Sequence, residues 1–451
     1  MRITRMYLEK VGNFRFKEVV FVVFFMFGFV TVSMASDSGD SKDELIQKLM
    51  TRVDQLENKV EGLTDKLEAY EQKPAAVVSD EAVEKKVDEI MAQKEEKSSS
   101  MISMPKISGF LDTTYNSNFN KPNSQTTKLG TPGAAVTGTE ANLSSYIRKA
   151  NEITFNTAHV ALNGSLKDGI GYTIEFDVGS DANVNTPSGA GAADDFDLQE
   201  AYLTSPLFDT GVNLKVGKFV TLEGIEVIES PLNPTISRGY LFGMAEPFTN
   251  VGFLLSRALP IEGLELRAGL VNGWDLLSDN NTGKTFLGGL GINYGDLATG
   301  GLSIYYGPEQ TANDRNRRTS IDLTIFNKSI PKLTLALQGN WGKEEGISGK
   351  TDSWNGFGIQ PVYQLTDKFS LGGRIEYMDN KLGSRFGFGS GSKGGNLTNF
   401  TITPTYRLND TVTTRLEFRR DVANNSFFEG EDGVFDEKST NQVLAEVFYT
   451  F

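Results

Sequence analysis

The last segment of the chain alternates between apolar and polar residues. Its apolar members are Val443, Ala445, Val447, Tyr449 and Phe451. Polar residues such as Glu446 lie between them, and a period of two places the two sets on opposite faces of a β-strand. One face suits lipid and ends on aromatic residues, while the other suits water, which is typical of the closing strand of a transmembrane β-barrel. An amphipathic edge strand of a soluble domain is the alternative.

Residues 1–35 have the features of a cleavable secretory signal peptide. Basic residues between Arg2 and Lys17 precede an apolar run from Val19 to Val32, and small residues for cleavage follow that run. The run is shorter than the about 20 residues that a membrane-spanning helix needs. We therefore expect the chain to be exported and the mature protein to carry no helical anchor.

The composition limits the chemistry that the chain can perform. It contains no Cys, 47 Gly, 30 Phe and 14 Tyr, and its formal net charge is −14. The lack of Cys excludes disulfides, thiolate metal ligands and thiol nucleophiles. The negative charge argues against nucleic acid as a partner, because the phosphates would repel it. Abundant Gly and aromatic residues fit a barrel whose strands alternate between lipid and water.

A heptad repeat occupies residues 36–73. Its a and d positions hold Ile46, Leu49, Val53, Leu56, Val60, Leu63 and Leu67. β-Branched residues mostly at a, with Leu mostly at d, favour a parallel coiled coil, so this segment is predicted to join copies of the chain. A single helix lying on another part of the same chain is the alternative. Residues 74–102 are predicted to be a linker, because they combine Pro, Ala, Ser, Glu and Lys.

Residues 103–451 are predicted to form the barrel, because alternating segments and turn residues follow one another along this whole stretch. There are about sixteen such segments, near 107–116, 152–164, 169–178, 195–205, 211–219, 249–257, 263–272, 285–295, 300–307, 318–327, 331–341, 353–364, 368–378, 396–407, 411–420 and 440–451. Short and long connections alternate between them. This arrangement puts the short turns and both chain termini of the barrel in the periplasm and the long loops outside.

Charged residues within these segments share one face and oppose apolar residues. The set predicted to face the lumen is Lys215, Glu265, Arg267, Arg374, Glu376, Arg415, Glu417 and Arg419. A charge on the lipid face near the bilayer centre costs about 2–4 kcal/mol, so this many charges require a polar interior. A barrel of sixteen strands leaves an aqueous channel, whereas a barrel of eight does not.

The connection at 220–248 differs from the other loops because it combines acidic residues, prolines and many apolar residues. A loop in open solvent does not need so much apolar surface, so we expect this one to fold against the inner wall and narrow the pore. The residues assigned to this constriction are Glu223, Glu226, Glu229, Arg238, Tyr240 and Glu246. The alternative places the loop over the mouth of the barrel or in a subunit interface, as plain structure.

Several short motifs resemble a known family. They are Ile107-Ser108-Gly109-Phe110, Leu198-Gln199-Glu200-Ala201, Leu214-Lys215-Val216-Gly217, Ser237-Arg238-Gly239-Tyr240 and, most distinctive, Asn272-Gly273-Trp274-Asp275. Over roughly 105–451 the chain resembles the OmpL-like, or porin-2, group of outer-membrane β-barrel porins. The resemblance implies a barrel and passive diffusion of solutes, but it supplies no substrate and no site residues. The coiled coil lies outside it.

Two further features are weak evidence for metal binding or catalysis. The oxygen-rich stretch 275–281 lacks the ligand spacing of an EF-hand, so we interpret it as a solvated Asx-rich turn. His159 is the only histidine. A hydrolase would need it beside Ser165 or Asp177, and a lone histidine on a strand is more often part of the wall. We expect no enzyme activity, no cofactor and no metal.

These observations favour an outer-membrane porin of a Gram-negative bacterium, a water-filled channel for passive diffusion of small hydrophilic solutes or ions. The acidic loop favours modest cation selectivity. A homotrimer is favoured by analogy with large porins, although the heptads suit a dimer equally. The alternative is a structural envelope tether with a plugged barrel and a coiled-coil stalk, and a ligand-specific uptake channel is a third hypothesis. Peptidoglycan stays open as a partner of the stalk.

Overall fold

The computed structural model describes residues 105–135, 141–166, 169–185, 195–387 and 394–451. Most of these residues form one closed β-barrel. The predicted signal peptide, coiled coil and linker, residues 1–102, lie outside the described residues, as do all the heptad positions assigned to oligomerisation. These assignments therefore stay predictions. No helix among the described residues is long and apolar enough to cross a membrane.

The barrel consists of sixteen antiparallel strands, numbered β1 to β16 in chain order. They are β1 Lys106–Asn118, β2 Glu152–Ser165, β3 Gly171–Val178, β4 Phe196–Pro206, β5 Val212–Val220, β6 Thr249–Ala258, β7 Leu264–Val271, β8 Thr285–Asn293, β9 Thr299–Gly307, β10 Arg318–Asn327, β11 Leu333–Ile347, β12 Lys350–Gln364, β13 Phe369–Asn380, β14 Gly395–Arg407, β15 Val412–Ala423 and β16 Ser439–Thr450. Each strand pairs with its neighbours in sequence, and β1 pairs with β16. The predicted number and order of strands are confirmed.

The closing seam shows how the alternation in β16 is used. Ala445 pairs with Tyr115 of β1 on one side and with Leu416 of β15 on the other. Tyr115, Leu416 and Val447 are 42%, 52% and 51% exposed, so this face of the seam is an apolar outer surface. Glu446, one residue away, is buried on the inner side. The period-two pattern thus separates a lipid-facing surface from the lumen.

The connections differ in length between the two ends of the barrel. Those that follow even-numbered strands are short turns, and most of those that follow odd-numbered strands are long. We call these two ends the short-turn end and the long-loop end. At the long-loop end, a separate four-stranded sheet joins the first and last long loops. Its strands are Phe435–Glu437, Phe428–Glu429, Lys128–Leu129 and Ala141–Asn142, in spatial order.

The connection between β11 and β12 is an exception at the long-loop end. The alternating pattern predicts that β11 ends near 341 and that β12 begins near 353, with a long loop between them. This prediction is wrong. The strands continue to Ile347 and resume at Lys350, with only Ser348 and Gly349 between them. Both residues have positive φ, 50° and 73°, as a two-residue hairpin turn of type I′ requires. Polar residues on both faces here hide the strand pattern.

Candidate pore constriction

The connection between β5 and β6, residues 221–248, enters the barrel from the long-loop end, and we call it the inner loop. Its direction is set near its start by Gly224, whose φ of +93° lies in the region that favours glycine. A Cβ atom at this position would collide with the carboxylate of Glu246, near the end of the same loop. The two ends of the inner loop are therefore packed directly against each other, and a larger residue at 224 would have to displace the side chain of Glu246 and adopt a strained backbone.

The first residues of the inner loop are held by β9 and β10. Tyr305 of β9 accepts a hydrogen bond from the backbone N–H of Leu222 at 3.3 Å and lies 3.2 Å from Oγ1 of Thr221. The backbone N–H of Gly224 donates to Oδ1 of Asp322 on β10 at 3.1 Å. These contacts fix the loop to one wall of the barrel before it crosses the lumen.

An arginine and a carboxylate hold the middle of the inner loop from β13 and β15. Nη1 of Arg374 is 2.7 Å from Oε1 of Glu226 and also donates to the carbonyl oxygen of Ser237 at 2.6 Å. Glu417 of β15 accepts from the backbone N–H of Ile236 at 2.6 Å and from the hydroxyl of Ser237. All of these groups are buried, so the loop is bonded to β13 and β15 by charge-assisted hydrogen bonds.

A second arginine holds the tip of the inner loop from β15. Arg415 donates to the carbonyl oxygen of Asn233 at 2.6 Å and to the hydroxyl of Ser230 at 2.7 Å. It also forms an ion pair with Glu446 of β16, and Glu446 accepts a hydrogen bond from the hydroxyl of Ser230. Glu446 and Arg415 are buried, at 2% and 5% exposed. The inner loop therefore spans the barrel from β9 to β16.

The return arm of the inner loop is fixed by backbone donors and by Tyr240. Glu376 of β13 accepts from the backbone N–H groups of Tyr240 and Leu241, at 2.5 and 2.9 Å. The hydroxyl of Tyr240 donates to Asp421 of β15 at 2.7 Å. Arg419 forms an ion pair with Asp421 at 2.8 Å and donates to the carbonyl oxygen of Arg238. Tyr240 thus acts as an anchor inside the wall and does not face open lumen.

Arg238 lies inside the inner loop. It donates to the carbonyl oxygens of Val227 at 3.1 Å, of Ile236 at 2.8 Å and of Ile228. Its guanidinium lies 4.8 Å from the ring centre of Tyr146, a residue of the first long loop. With 1% of its surface exposed, Arg238 tightens the fold of the inner loop and presents little charge to a solute.

Glu223 and Glu246 form a buried acidic pair near β10 and β11. Glu223 accepts from the hydroxyl of Ser320 at 3.0 Å, and Glu246 accepts from Nε2 of Gln338 at 2.8 Å. Burial, and then the charge of nearby Asp322, raises the pKa of both glutamates well above its ordinary value. Neutral, protonated carboxyls are therefore favoured here, which lowers the cost of their burial.

The remaining face of the inner loop borders a cavity of about 400 Å³, which we call the chamber. Its charged lining consists of Glu175, Glu200, Glu223, Glu226, Glu229 and Arg267. Glu229 is half-buried, and Leu232 nearby is 73% exposed, which is unusual for an apolar residue inside a protein. The lining also includes Gly300 and Gly301 of β9.

The charges predicted to face the lumen fall into two groups. Arg374, Glu376, Arg415, Glu417 and Arg419 are buried against the inner loop. Lys215, Glu265 and Arg267 are not among the residues that bond to it. Arg267 pairs with Glu265 at 2.6 Å, with side chains 34% and 37% exposed, and Nζ of Lys215 lies 4.2 Å from the ring centre of Tyr202. This second group is the one that is open to solvent.

Stretch 275–281 adopts turns. Asp275 accepts from the backbone N–H groups of Phe248 and Thr249, at 2.7 and 2.9 Å, and so caps the end of the inner loop. Asp279 accepts from the backbone N–H of Asn281 at 3.0 Å, which is an Asx turn, and pairs with Lys284. The stretch is thus rich in Asx-type contacts, but Asp275 and Asp279 are half-buried and bonded within the protein, so it is less solvated than predicted.

The structure shows which of the two candidate residues, Ser165 or Asp177, lies beside His159. Its Nδ1 lies 2.8 Å from Oδ1 of Asp177 on the neighbouring strand. Ser165, the other candidate partner, is six residues further along β2, about 20 Å away at the rise of a strand. The histidine is 5% exposed and its ring stacks on Phe110 at a centroid distance of 5.0 Å.

Sequence analysis did not assign several residues that hold the inner loop. Asp421 and Ser230 belong to the arginine networks described above, and Tyr146 packs on Arg238 and on Phe242 at 6.0 Å between ring centres. Alternation identifies the inward face of Asp421, but it does not identify which loop residue reaches it. Apolar residues such as Ile147 within a long external loop are the one local signal that this loop also folds inward.

Comparison with known proteins agrees with this architecture. A family model described as "Putative beta-barrel porin-2, OmpL-like" matches residues 105–451. The fold is similar to the outer-membrane channel DcaP of Acinetobacter baumannii, with 10% identity, a TM-score of 0.52 and 77% of this chain and 97% of that chain covered. It is also similar to an anion-selective porin from Comamonas acidovorans, with 11% identity, a TM-score of 0.51 and coverage of 77% and 99%. No curated protein matches the sequence.

Proposed function

We propose that this chain, which belongs to the porin-2, OmpL-like β-barrel family, is an outer-membrane porin through which small hydrophilic solutes or ions diffuse passively. The inner loop carries the proposal. It is bonded to β9 and β10 on one side and to β13, β15 and β16 on the other, and it leaves the chamber on its remaining face. A loop held this way narrows a barrel at a fixed level and sets the size of what passes.

The charge of the chamber supports a modest preference for cations. Glu223 favours its neutral form and Glu226 is paired with Arg374, so the charges of the lining that face the chamber are those of Glu175, Glu200, Glu229 and Arg267. Three carboxylates against one arginine leave a net negative charge. Fixed charges of one sign inside a narrow, low-dielectric passage favour ions of the opposite sign. The Comamonas porin is anion-selective by its title, but at 11% identity it supports only the fold. A reversal potential measured across a salt gradient tests the preference, and an anion-selective result contradicts it.

The porin hypothesis also includes an orientation of the chain in the outer membrane. The short turns and both chain termini of the barrel lie in the periplasm, the long loops lie outside, and 36–73 forms the stalk below the membrane. We expect a homo-oligomer, with a trimer favoured, joined by the heptads. Peptidoglycan is a partner to be tested for the stalk.

A structural tether with a plugged barrel is the second candidate. It is favoured by one observation: the first long loop also folds inward, where Ile147 packs with Ile236 of the inner loop and Leu444 of β16. Tyr146 packs beside Ile228 and Phe242 in the same way. The two loops thus pack against each other on the inner side of the barrel wall. On the tether hypothesis, the barrel anchors a periplasmic coiled coil and conducts no solutes or ions.

Single-channel conductance in a planar bilayer separates the two candidates. The purified mature protein is compared with a variant that lacks 222–246. We expect open steps in the parent and larger steps in the variant, because the variant loses the constriction. A silent parent whose variant conducts identifies a plugged barrel and favours the tether. Folded protein that stays silent in both forms contradicts the porin.

A further inference from the structure

A histidine and two carboxylates come together where the inner loop meets the wall formed by β2 and β3. His159 lies on β2, Glu175 on β3 and Glu229 on the inner loop. One potential ligand atom from each residue lies within 4.8 Å of the other two. Nε2 of His159 is 3.8 Å from Oε2 of Glu175. The three residues are far apart in sequence, so only the tertiary structure reveals the cluster.

The other nitrogen of the histidine is already engaged. Nδ1 of His159 lies 2.8 Å from Oδ1 of Asp177, and Oγ1 of Thr157 donates to the same oxygen at 3.3 Å. Because a carboxylate accepts from Nδ1, the nitrogen that remains available as a ligand is Nε2, which lies 3.8 Å from Oε2 of Glu175. Histidines that bind metal ions almost always make this contact through the nitrogen that is not a ligand. The stacked ring of Phe110 further restricts the orientation of the imidazole.

The loop side of the cluster contains an unpartnered oxygen. Nε2 of Gln199, on β4, donates to Oε1 of Glu229 at 2.5 Å. Gln199 is fully buried, and its own Oε1 has no hydrogen-bond partner among the described residues. A buried amide oxygen without a partner is costly unless an ion or a bound water satisfies it. Because Nε2 of the same amide group bonds to Glu229, this oxygen lies next to the cluster.

We propose that Nε2 of His159, Glu175 and Glu229 bind one divalent transition-metal ion of the Zn²⁺ type. One imidazole with two carboxylates suits zinc, whereas Ca²⁺ and Mg²⁺ prefer all-oxygen sites. Tetrahedral ligands about 2.1 Å from zinc lie roughly 3.4 Å apart, so the two glutamates close in by an ångström or so. Glu175 and Glu229 both line the chamber, which supplies an entry path and a fourth, open position for water.

The ion joins the inner loop to the β2–β3 wall. The arginine anchors bind the loop to β13 and β15, so a metal at Glu229 adds a bond on a side that these anchors do not reach. The positive charge of the ion also offsets the negative charges of Glu175 and Glu229 at one edge of the chamber. Binding of the metal and conduction by the barrel are separate properties, so the site stands or falls independently of the porin function.

Equilibrium dialysis of the folded, mature chain against Zn²⁺ tests the site. The protein is made without a polyhistidine tag and treated with a chelator first. We expect one Zn²⁺ per subunit, and a loss of affinity of about tenfold or more in H159Q, in E229Q and in D177N, which only positions the ring. E265Q is the matched control, because Glu265 is a lumen carboxylate paired with Arg267, and it should bind as the parent does.

Cobalt provides a second readout that reports the ligands. Co²⁺ bound to the parent should give a visible spectrum that is lost in H159Q and in E229Q. Heat-dependent mobility in electrophoresis shows that each variant is folded. A folded parent that binds no Zn²⁺ in a 1:1 ratio overturns the proposal. So does binding that persists unchanged in both H159Q and E229Q.

Discussion

Arg374 of β13 and Glu226 of the inner loop form a buried ion pair, with Nη1 2.7 Å from Oε1 and side chains that are 1% and 3% exposed. The second oxygen of Glu226 accepts from the backbone N–H of Gly239 at 2.6 Å, and Arg374 donates as well to Oδ1 of Asn399 at 2.8 Å. Every side-chain nitrogen of Arg374 and both side-chain oxygens of Glu226 have a hydrogen-bond partner. The pair therefore links the outgoing arm of the loop, its return arm and the wall.

Substitution E226Q is expected to release the inner loop. Removing one partner of a buried pair leaves the other charge uncompensated, which costs about 3–5 kcal/mol. The loop, and not the barrel, should carry this loss, because the hydrogen bonds of the barrel are internal to the closed sheet. Faster hydrogen exchange at Gly239 and Tyr240 and noisier open currents are the expected results.

E265Q is the control for this substitution. Its pair with Arg267 is about one-third exposed, so its loss should cost about 0–1 kcal/mol. Equal exchange rates in E226Q and E265Q would show that the buried pair does not hold the loop.

Low pH is expected to favour the seated inner loop. Burial raises the pKa of Glu223 and Glu246 well above 4.5, with Asp322 adding to the shift, Arg385 opposing it at Glu223 and Gln338 opposing it at Glu246. The seated loop then holds protons that a released loop loses. The two glutamates stabilise the seated loop fully below pH 4.5, their ordinary pKa. This stabilisation is lost as the pH rises through their raised pKa values.

Conductance measured against pH checks this expectation. Open currents should become larger or noisier with rising pH in the parent, and E246Q should reduce the change because it removes one titrating group. E262Q, in the exposed turn after β6, is the matched control and should follow the parent. A parent whose current noise does not depend on pH contradicts the prediction.

A lysine in place of Ala445 tests the lipid-facing surface of the seam. Ala445 is exposed between Tyr115 and Leu416, near the middle of β16. A charge there should cost about 2–4 kcal/mol, falling to about 0–1 kcal/mol near the interface. N441K, on the same face but closer to the long-loop end, supplies the comparison. Folding titrations in lipid vesicles measure both, and equal costs would argue against burial of Ala445 in the bilayer.

Deletion of residues 42–72 tests the heptads. The oligomer should become less stable to heat, while each barrel stays folded, because all of its backbone hydrogen bonds are made within one closed sheet. Electrophoresis of unheated and gradually heated samples measures both properties. Oligomers that survive heating equally well without the segment would make it a spacer.

Alternation predicts the barrel well because it is a local property. The alternation of β15 and β16 fixes which side chains point inward, and the short turns fix the pairing of neighbours. The prediction missed the hairpin at Ser348 and Gly349 because it depends on alternation alone. Beyond the membrane both faces of a strand can be polar, and the alternation disappears. The inner loop was recognised from its composition, as apolar residues in a connection indicate burial.

The contacts of that loop needed the tertiary structure. Arg415 and Arg374 were predicted to point inward. Only the structure shows that both are buried against the inner loop, where they donate hydrogen bonds to its backbone, because a buried backbone must find hydrogen-bond donors and acceptors. His159 was interpreted as part of the wall, and its pairing with Asp177 depends on the register of β2 against β3.

The sequence by itself determined the number of strands, their order and which face of each meets lipid, because these follow from a period of two and from short connections between neighbours. Only the tertiary structure decided which inward charges anchor the inner loop, which line the chamber, and that His159, Glu175 and Glu229 meet. Those outcomes depend on contacts between residues distant in sequence, and no local pattern encodes the path of a loop across a lumen.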